Sequence, residues 1–485
     1  MSDDARRMPR ATAQGMASGK EKNSMKEVKR ASKAAVFCYG LGDLASQFVW
    51  TFVGSYLSIY YTDVVGLGPG VVAAIMLLAR IWDAVNDPMM GAIAENSSSK
   101  FGRFRPWIAF GCPLLAIFAV LTFTNPMGSG SAGALYAGVT YIIAGMLYTL
   151  VNIPYGALSG VMTEDSDQRN VINTSRNIGM NVGMIIVNAL SATMMLKFSG
   201  AGATVATGAG YTKTALVYSL ISIPLFLIVF FTSREVVGRD PKQAKAKFSF
   251  TATMKSLFTN KYLMIVFAIM AVQMTAFMGR IAVCSYYVIY CLGSFTMIAV
   301  IMTIPSVCGV IGSLFVPFFA KRIGKRNVLM YSMLVQAGGL LIMYLAPFDN
   351  MAMVLAGDVI FGLFNVGFPM TLSMVADSVD YMEEKTGLRT DGTAYATYGL
   401  ATKLGNAVGG AVGVPLLFMF GYVANAEQTA GALKGINMVV NLFPCFLFVL
   451  ASVLCLLWNM SDQDADDIRA RLHERRAQAA QNDAQ

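Results

Sequence analysis

Apolar runs of about 20 residues recur from residue 35 to residue 459, and each is long enough, at about 1.5 Å of rise per residue, to cross a hydrocarbon core of roughly 30 Å. Inside lipid every backbone N–H and C=O must be paired within the protein, which leaves only helices and closed barrels. Runs of this length predict helices. Twelve spans are placed near 35–61, 70–95, 105–123, 134–160, 171–195, 214–232, 260–290, 296–320, 327–345, 352–376, 393–420 and 434–459. The expected fold is therefore an all-α membrane protein. Its composition, 55% hydrophobic and 13% charged, agrees, since soluble domains carry roughly a quarter charged residues.

A formal charge of +9 is compatible with nucleic-acid binding until its placement is considered. Numbering the spans defines two sides, and all but seven of the 37 Lys and Arg residues fall on one of them. That side holds the segment up to Lys33, the clusters Lys100–Arg105 and Lys321–Arg326, the stretch Arg234–Lys261, and the residues from Arg469 onward. Lys197, Lys213 and Lys434 lie on the other side; Arg80, Arg176, Arg280 and Lys403 lie in or at the edges of spans. The positive-inside rule places both termini in the cytoplasm. The basic excess is a topology signal, so no nucleic-acid partner is expected. Residues 1–33 lack an apolar signal-peptide core and read as a flexible extension.

The widest basic linker, residues 233–259, separates two predicted six-helix bundles, 34–232 and 260–460, with a tail at 461–485. Internal echoes support two related halves. The loop Lys100-Phe101-Gly102-Arg103-Phe104-Arg105 is answered by Lys321-Arg322-Ile323-Gly324-Lys325-Arg326, and Asn152-Ile153-Pro154 by Asn365 and Pro369. Transporters are often built from such repeats, with the solute between them near the midplane. An enzyme is disfavoured. The one histidine, His473, is in the tail, the seven cysteines are scattered without metal-type spacing, and no nucleophile–base arrangement appears.

Charges inside spans carry the functional signal, because each costs at least about 2.5–3.5 kcal/mol at a bilayer centre unless it faces a partner or a cavity. Span 2 reads Ala79-Arg80-Ile81-Trp82-Asp83-Ala84-Val85-Asn86-Asp87-Pro88, which sets Asp83, Asn86 and Asp87 on one helical face. Two carboxylates that close require a shared proton or a cation. Arg80 can neutralise Asp83 and leaves Asp87 unpaired; Thr149 on span 4 is the expected further ligand. Asp43, Gln47, Arg80, Tyr148, Asn152, Arg176, Arg280, Phe368 and Lys403 form the expected solute site, a donor-rich set suited to hydroxyls. Asp377, Asp380, Arg389 and Asp391 are expected to form a cytoplasmic gate of salt bridges.

Several segments are shared with a known family. Tyr60-Tyr61-Thr62-Asp63-Val64-Val65-Gly66-Leu67, the span-2 segment, Gly102-Arg103-Phe104-Arg105-Pro106-Trp107, Asn152-Ile153-Pro154-Tyr155-Gly156-Ala157-Leu158 and Asp377-Ser378-Val379-Asp380-Tyr381 resemble the glycoside–pentoside–hexuronide:cation symporters. These are melibiose-permease-like proteins of the major facilitator fold, and the resemblance runs from about Tyr39 to Trp458. It implies a cation (Na+ or H+):sugar symporter in a bacterial inner membrane, a monomer with no cofactor beyond the coupling ion. It also implies an ion site at Asp83, Asn86, Asp87 and Thr149, with Arg176 and Lys403 touching the sugar. Galactoside-carrying members have aspartates where this chain has Gln47 and Asn152, and a tryptophan where it has Gly156. The loss of two carboxylates, with Arg280 as an added cation, leans the expected solute toward an anionic sugar; a pairing of Arg280 with Asp43 is the alternative. A lysolipid symporter and a non-transporting sugar sensor remain as other readings.

Overall fold

The computed structural model describes residues 30–163, 165–236, 258–365, 367–387 and 391–482. The described elements are helical throughout. α1 (Lys33–Ile59) runs into a π turn, Tyr60–Val64. α2 (Pro69–Asn96), α3 (Arg105–Thr122), α4 (Ser131–Val161), α5 (Ser166–Ser199) and α6 (Gly208–Thr232) follow. α7 (Lys261–Tyr286) again ends in a π turn, Tyr287–Cys291. Next come α8 (Met297–Ile323), α9 (Lys325–Leu345), α10 (Met351–Leu363), α11 (Gly367–Thr386) and α12 (Asp391–Met419). The last span is α13 (Ala430–Asn437), a π turn at Met438–Leu442, and α14 (Phe443–Cys455). α15 (Asp462–Asn482) is the last described element.

Ten helices among the described residues are long and apolar enough to cross a membrane. Of the two remaining expected spans, α1 is 27 residues long but carries Asp43, Ser46, Gln47 and Thr51 at mid-length. The other, expected as one helix over 352–376, is broken into α10 and α11. Gly367 and Pro369 explain the break, because proline lacks an amide N–H and is tolerated in a first helical turn, where that donor is unpaired anyway. The carbonyl of Phe364, just past the end of α10, accepts from Gln336 Nε2 at 2.9 Å.

Packing follows small residues. α1 packs extensively on α5 and α6, α3 on α4 and α6, and α2 on α4; α7 packs on α12 and α14, and α9 on α10 and α14. These two groups meet where α12 touches α2, α5 touches α8 and α1 touches α7. Without a hydrophobic drive between helices in lipid, close approach over small residues supplies much of the adhesion. A Cβ placed on Gly179 would overlap the Gly40 carbonyl, and one on Gly409 would lie 2.6 Å from the Thr275 carbonyl oxygen.

The loop echo has a common geometry. Gly102 and Gly324 both take positive φ (107° and 81°). Glu235 accepts the backbone N–H groups of Arg103 and Phe104 at 2.9 and 2.7 Å, while Asp462 accepts that of Lys325 at 3.0 Å. Each carboxylate thereby caps a helix N-terminus, α3 or α9. Arg105 and Arg326 donate to Phe230 and Cys455, carbonyls at the ends of α6 and α14. The segment expected as a tail is thus partly the helix α15, whose Arg469 bonds Asp377 at 3.1 Å and whose Arg471 bonds Glu384 at 2.5 Å.

Gly179→Val is expected to destabilise the protein by about 1–3 kcal/mol through overpacking. Gly156→Val, where an added Cβ meets nothing within 4 Å, is the control. Thermal unfolding in detergent that ranks the two variants equally would refute the role given to the α1–α5 contact.

Candidate functional site

The span-2 face forms as its spacing requires, and its surroundings differ from expectation in one respect. Thr149 Oγ1 donates to Asp87 Oδ1 at 2.7 Å. Arg80 Nη1 lies 3.4 Å from Asp83 Oδ2. Asp87 is not left unpaired: its Oδ2 makes an ion pair with Lys403 Nζ on α12. Asn86, on the same helix three residues from Asp83, is buried, and its Nδ2 has no hydrogen-bond partner. The structure thus joins Asp87 to Thr149 and Lys403 and Asp83 to Arg80, with each carboxylate countered by a protein cation.

A second cluster lies on α1, α4 and α5. Arg176 Nε donates to Asp43 Oδ2 at 2.8 Å, and its guanidinium sits 4.9 Å above the Tyr155 ring. Tyr155 Oη donates to the same carboxylate at 3.1 Å. Asn152 Nδ2 donates to Ser46 Oγ at 3.2 Å and Tyr148 Oη at 3.3 Å. Gln47 Oε1 accepts from Thr51 at 2.6 Å. Trp50, which the sequence reading passed over, joins the two clusters. Its indole stacks on Tyr148 with centroids 4.2 Å apart, and the Arg80 guanidinium lies 5.7 Å from its ring centre. Asp83 and Trp50 both meet helix α4 at Gly145, where a Cβ would stand 3.2 Å from Asp83 Oδ1 and 3.9 Å from the Trp50 ring.

Arg280 does not join this site, which corrects its assignment as a solute ligand and the suggestion of a pair with Asp43. Its guanidinium is 5% exposed and donates at 2.8 Å to Asp358 Oδ1, a side chain of 0% exposure. It also lies 4.6 Å from the Phe361 ring centre. The pair sits within the α7–α9–α10 packing. Asp358 was missed although it is a mid-span carboxylate, the same signal that marks Asp83.

The expected gate is only partly described. Asp377 pairs with Lys325 and with Arg469, and Asp380 lies 3.7 Å from Arg469. These bonds tie α11 to α9 and α15, all within one group of helices. Arg389 lies outside the described residues, as do the side chains of Phe368 and Asp391. Among the described residues, further polar links between the groups occur around Asp63 and along the facing helices. Its carboxylate accepts from the hydroxyls of Tyr290 and, at 2.6 Å, Tyr422. Thr62 and Tyr286 exchange a bond of 2.8 Å, Ser285 Oγ donates to the Ser55 carbonyl at 3.1 Å, and Asn188 Nδ2 donates to the Met302 carbonyl at 3.1 Å.

With this geometry the fold can be compared with known proteins. The chain is 32% identical over 446 residues to the isoprimeverose transporter of Lactiplantibacillus pentosus, covering 91% of each. It is 29% identical to a glucuronide carrier protein homolog of Escherichia coli strain K12, over 90% of this chain and 95% of that one. In fold it is similar to the crystal structure of a D-xylose-proton symporter, with a TM-score of 0.62 at 15% identity, covering 89% and 98% of the two chains. The model of the family described as MFS/sugar transport protein matches residues 38–462. This multi-pass membrane protein therefore belongs to the MFS/sugar transport family.

Proposed function

We propose that the protein is a secondary active symporter that carries a sugar-class solute with Na+ or H+ by alternating access, with both termini cytoplasmic. The observation that carries the reading is the pair Asp83 and Asp87, one helical turn apart in mid-span and each countered by a protein cation. A structural pair needs one partner each and nothing more. Here Thr149 adds an oxygen ligand beside Asp87, and the spacing of buried Asn86 on the same helix offers another, which suits a hard cation. A coupling ion competes with Arg80 and Lys403 for those carboxylates. Across α4, Tyr148 and Asn152 adjoin this face and present hydroxyl and amide groups to a sugar; Gln47 and the Asp43–Arg176 pair extend the same surface.

The relatives named as an isoprimeverose transporter and a glucuronide carrier homolog support a sugar-class cargo. In the proposed cycle the helix groups α1–α6 and α7–α14 rock about this site. The Asp63 network then serves as the seal on the non-cytoplasmic side, which the charge distribution assigns to that end. An amphiphilic cargo is the second reading. One feature favours it: an open, mainly apolar pocket of about 750 Å³ along α1 and α5, lined by Phe37, Leu44 and Ile178 together with Arg30, Lys33 and Asp165.

Solute affinity is expected to rise with sodium or with acidification, and cation affinity to rise equally with solute. Binding to purified protein that ignores both sodium and pH would exclude symport. Asp83→Cys is expected to abolish concentrative uptake, and wild-type accumulation by that variant would remove its assigned role. Asp63→Asn is expected to weaken charge-assisted bonds of about 1.5–3 kcal/mol each and so open the seal. Faster labelling of Ser58→Cys from the non-cytoplasmic side would report it, while unchanged labelling would rule it out. Arg280→Gln is expected to cost about 3–5 kcal/mol by stranding Asp358, and Arg280→Met with Asp358→Leu to recover much of it. A change in solute selectivity from the double variant would return Arg280 to the solute site.

A further inference from the structure

The pocket along α1 and α5 is a groove with one charged end. Arg30 and Lys33 stand at the start of α1, and Phe37, Leu44, Val171, Ile178 and Val182 line the groove further along the two helices. Gln168 on α5 grips the backbone of Ala31, between the two cations. Its Oε1 accepts the Ala31 N–H at 2.8 Å, and its Nε2 donates to the Ala31 carbonyl at 2.9 Å. Ser32 Oγ caps α1 by accepting the Ala35 N–H at 3.1 Å. Arg30 pairs with Asp165 at 2.8 Å. The backbone that carries both cations is therefore anchored to α5 at the head of the groove.

The groove runs from Lys33 to Leu44 on α1 and from Val171 to Val182 on α5, eleven positions on each helix. That is about 16 Å of helix, half of a hydrocarbon core of roughly 30 Å, so the groove has the depth of one leaflet. On the orientation proposed above, that leaflet is the cytoplasmic one, whose anionic lipids are drawn to basic pockets between spans. Val171, Ile178 and Val182 form an exposed apolar stripe on α5. Arg176 turns off that stripe to Asp43, so the polar cluster of the solute site is separate from the groove. α1 and α5 approach each other at Gly40 and Gly179, which leave that part of the lining without side chains. Arg30, Lys33 and Asp165 together carry one net positive charge, the complement of a single phosphodiester. We propose that the groove holds a monoanionic phospholipid of the cytoplasmic leaflet as a resident ligand. Its phosphate sits at Arg30 and Lys33, and one acyl chain lies between α1 and α5.

The test uses the full-length protein in detergent micelles, with native mass spectrometry counting the phospholipid it retains. The probes are dioleoyl-phosphatidylglycerol and dioleoyl-phosphatidylcholine, which share acyl chains and differ in headgroup charge. One basic residue at a lipid headgroup is worth about fivefold in affinity, so phosphatidylglycerol is expected to be retained at least about fivefold over phosphatidylcholine. Arg30→Gln with Lys33→Gln, both exposed positions, is expected to bring that preference within about twofold. Arg322→Gln, which removes a cation over Phe318 on α8, is expected to leave it unchanged. Ile178→Trp, which fills the groove, is expected to displace either lipid. Equal retention of the two lipids, a preference that survives the double variant or falls equally in Arg322→Gln, or full retention in Ile178→Trp would each overturn the proposal. So would transfer of headgroup-labelled phosphatidylglycerol between the leaflets of phosphatidylcholine proteoliposomes, because the lipid would then be cargo. Retention in micelles depends neither on orientation nor on symport. Labelling of Lys33→Cys above the wild-type background from the cytoplasmic side is the separate check on the leaflet; labelling from the opposite side alone would overturn that assignment together with the proposed orientation.

Discussion

A carboxylate in the middle of a bilayer must be neutralised, and the described mid-span carboxylates of this protein are arranged around that requirement. Asp43, Asp83, Asp87 and Asp358 are each paired with an Arg or a Lys. The pairs are not equivalent. Asp358 and Arg280 are fully enclosed and backed by Phe361, which marks a fixed structural element. Asp83 and Asp87 sit on one face with an unpartnered amide nitrogen, Asn86 Nδ2, beside them. Among the described residues, Asp87 with Lys403 is the ion pair that joins α2 to α12, across the boundary between the two helix groups. Competition for Asp87 is therefore also competition for a contact between the groups, which is the linkage that coupled transport needs.

The internal repeat is expressed more in backbone geometry than in residue identity. The π turns at Tyr60–Val64 and Tyr287–Cys291 occupy corresponding places, each followed by a glycine of positive φ, Gly66 or Gly293. In that correspondence Asp63 is the counterpart of Tyr290, and the two bond to each other. Glu235 and Asp462 are counterparts in the same way, each capping the first turn of the third helix in its half. At Asp63 and Tyr290 the duplicated geometry has been filled with an acceptor on one side and a donor on the other, so that the halves meet there through complementary groups.

Much of this was legible in the sequence because hydropathy and helical spacing are local properties. The spans, the shared face of Asp83, Asn86 and Asp87, and the matching glycine loops all follow from residues a few positions apart. Thr149 beside Asp87 was also legible, through family resemblance. Pairings between distant spans were not. The Lys403–Asp87 pair, the Arg280–Asp358 pair and the Asp63 network each depend on which helices become neighbours, which no local pattern states. Asp358 was a detectable signal that went unused, and without it Arg280 looked like a free cation. The break between α10 and α11 was written in Gly367 and Pro369, yet an uninterrupted apolar run outweighed it.

Trp50 shows how the ion face and the solute face can be mechanically one object. Arg80 has two attachments, the carboxylate of Asp83 and the face of the Trp50 ring. A cation–π contact of this kind is worth about 0.5–2 kcal/mol depending on desolvation, comparable to an ion pair in partly solvated surroundings. A cation that takes Asp83 removes the first attachment and leaves Arg80 dependent on the second. The far side of the chain is short: Trp50 stacks on Tyr148, and Tyr148 accepts from Asn152. Gly145 lets the carboxylate and the indole lie against the same turn of α4, where a Cβ would crowd Asp83 Oδ1 at 3.2 Å and only touch the indole at 3.9 Å. On the symport reading, ion occupancy changes the balance of forces on the ring that positions the sugar-facing hydroxyl and amide. Coupling then requires no long pathway, only two ligands competing for groups in direct contact.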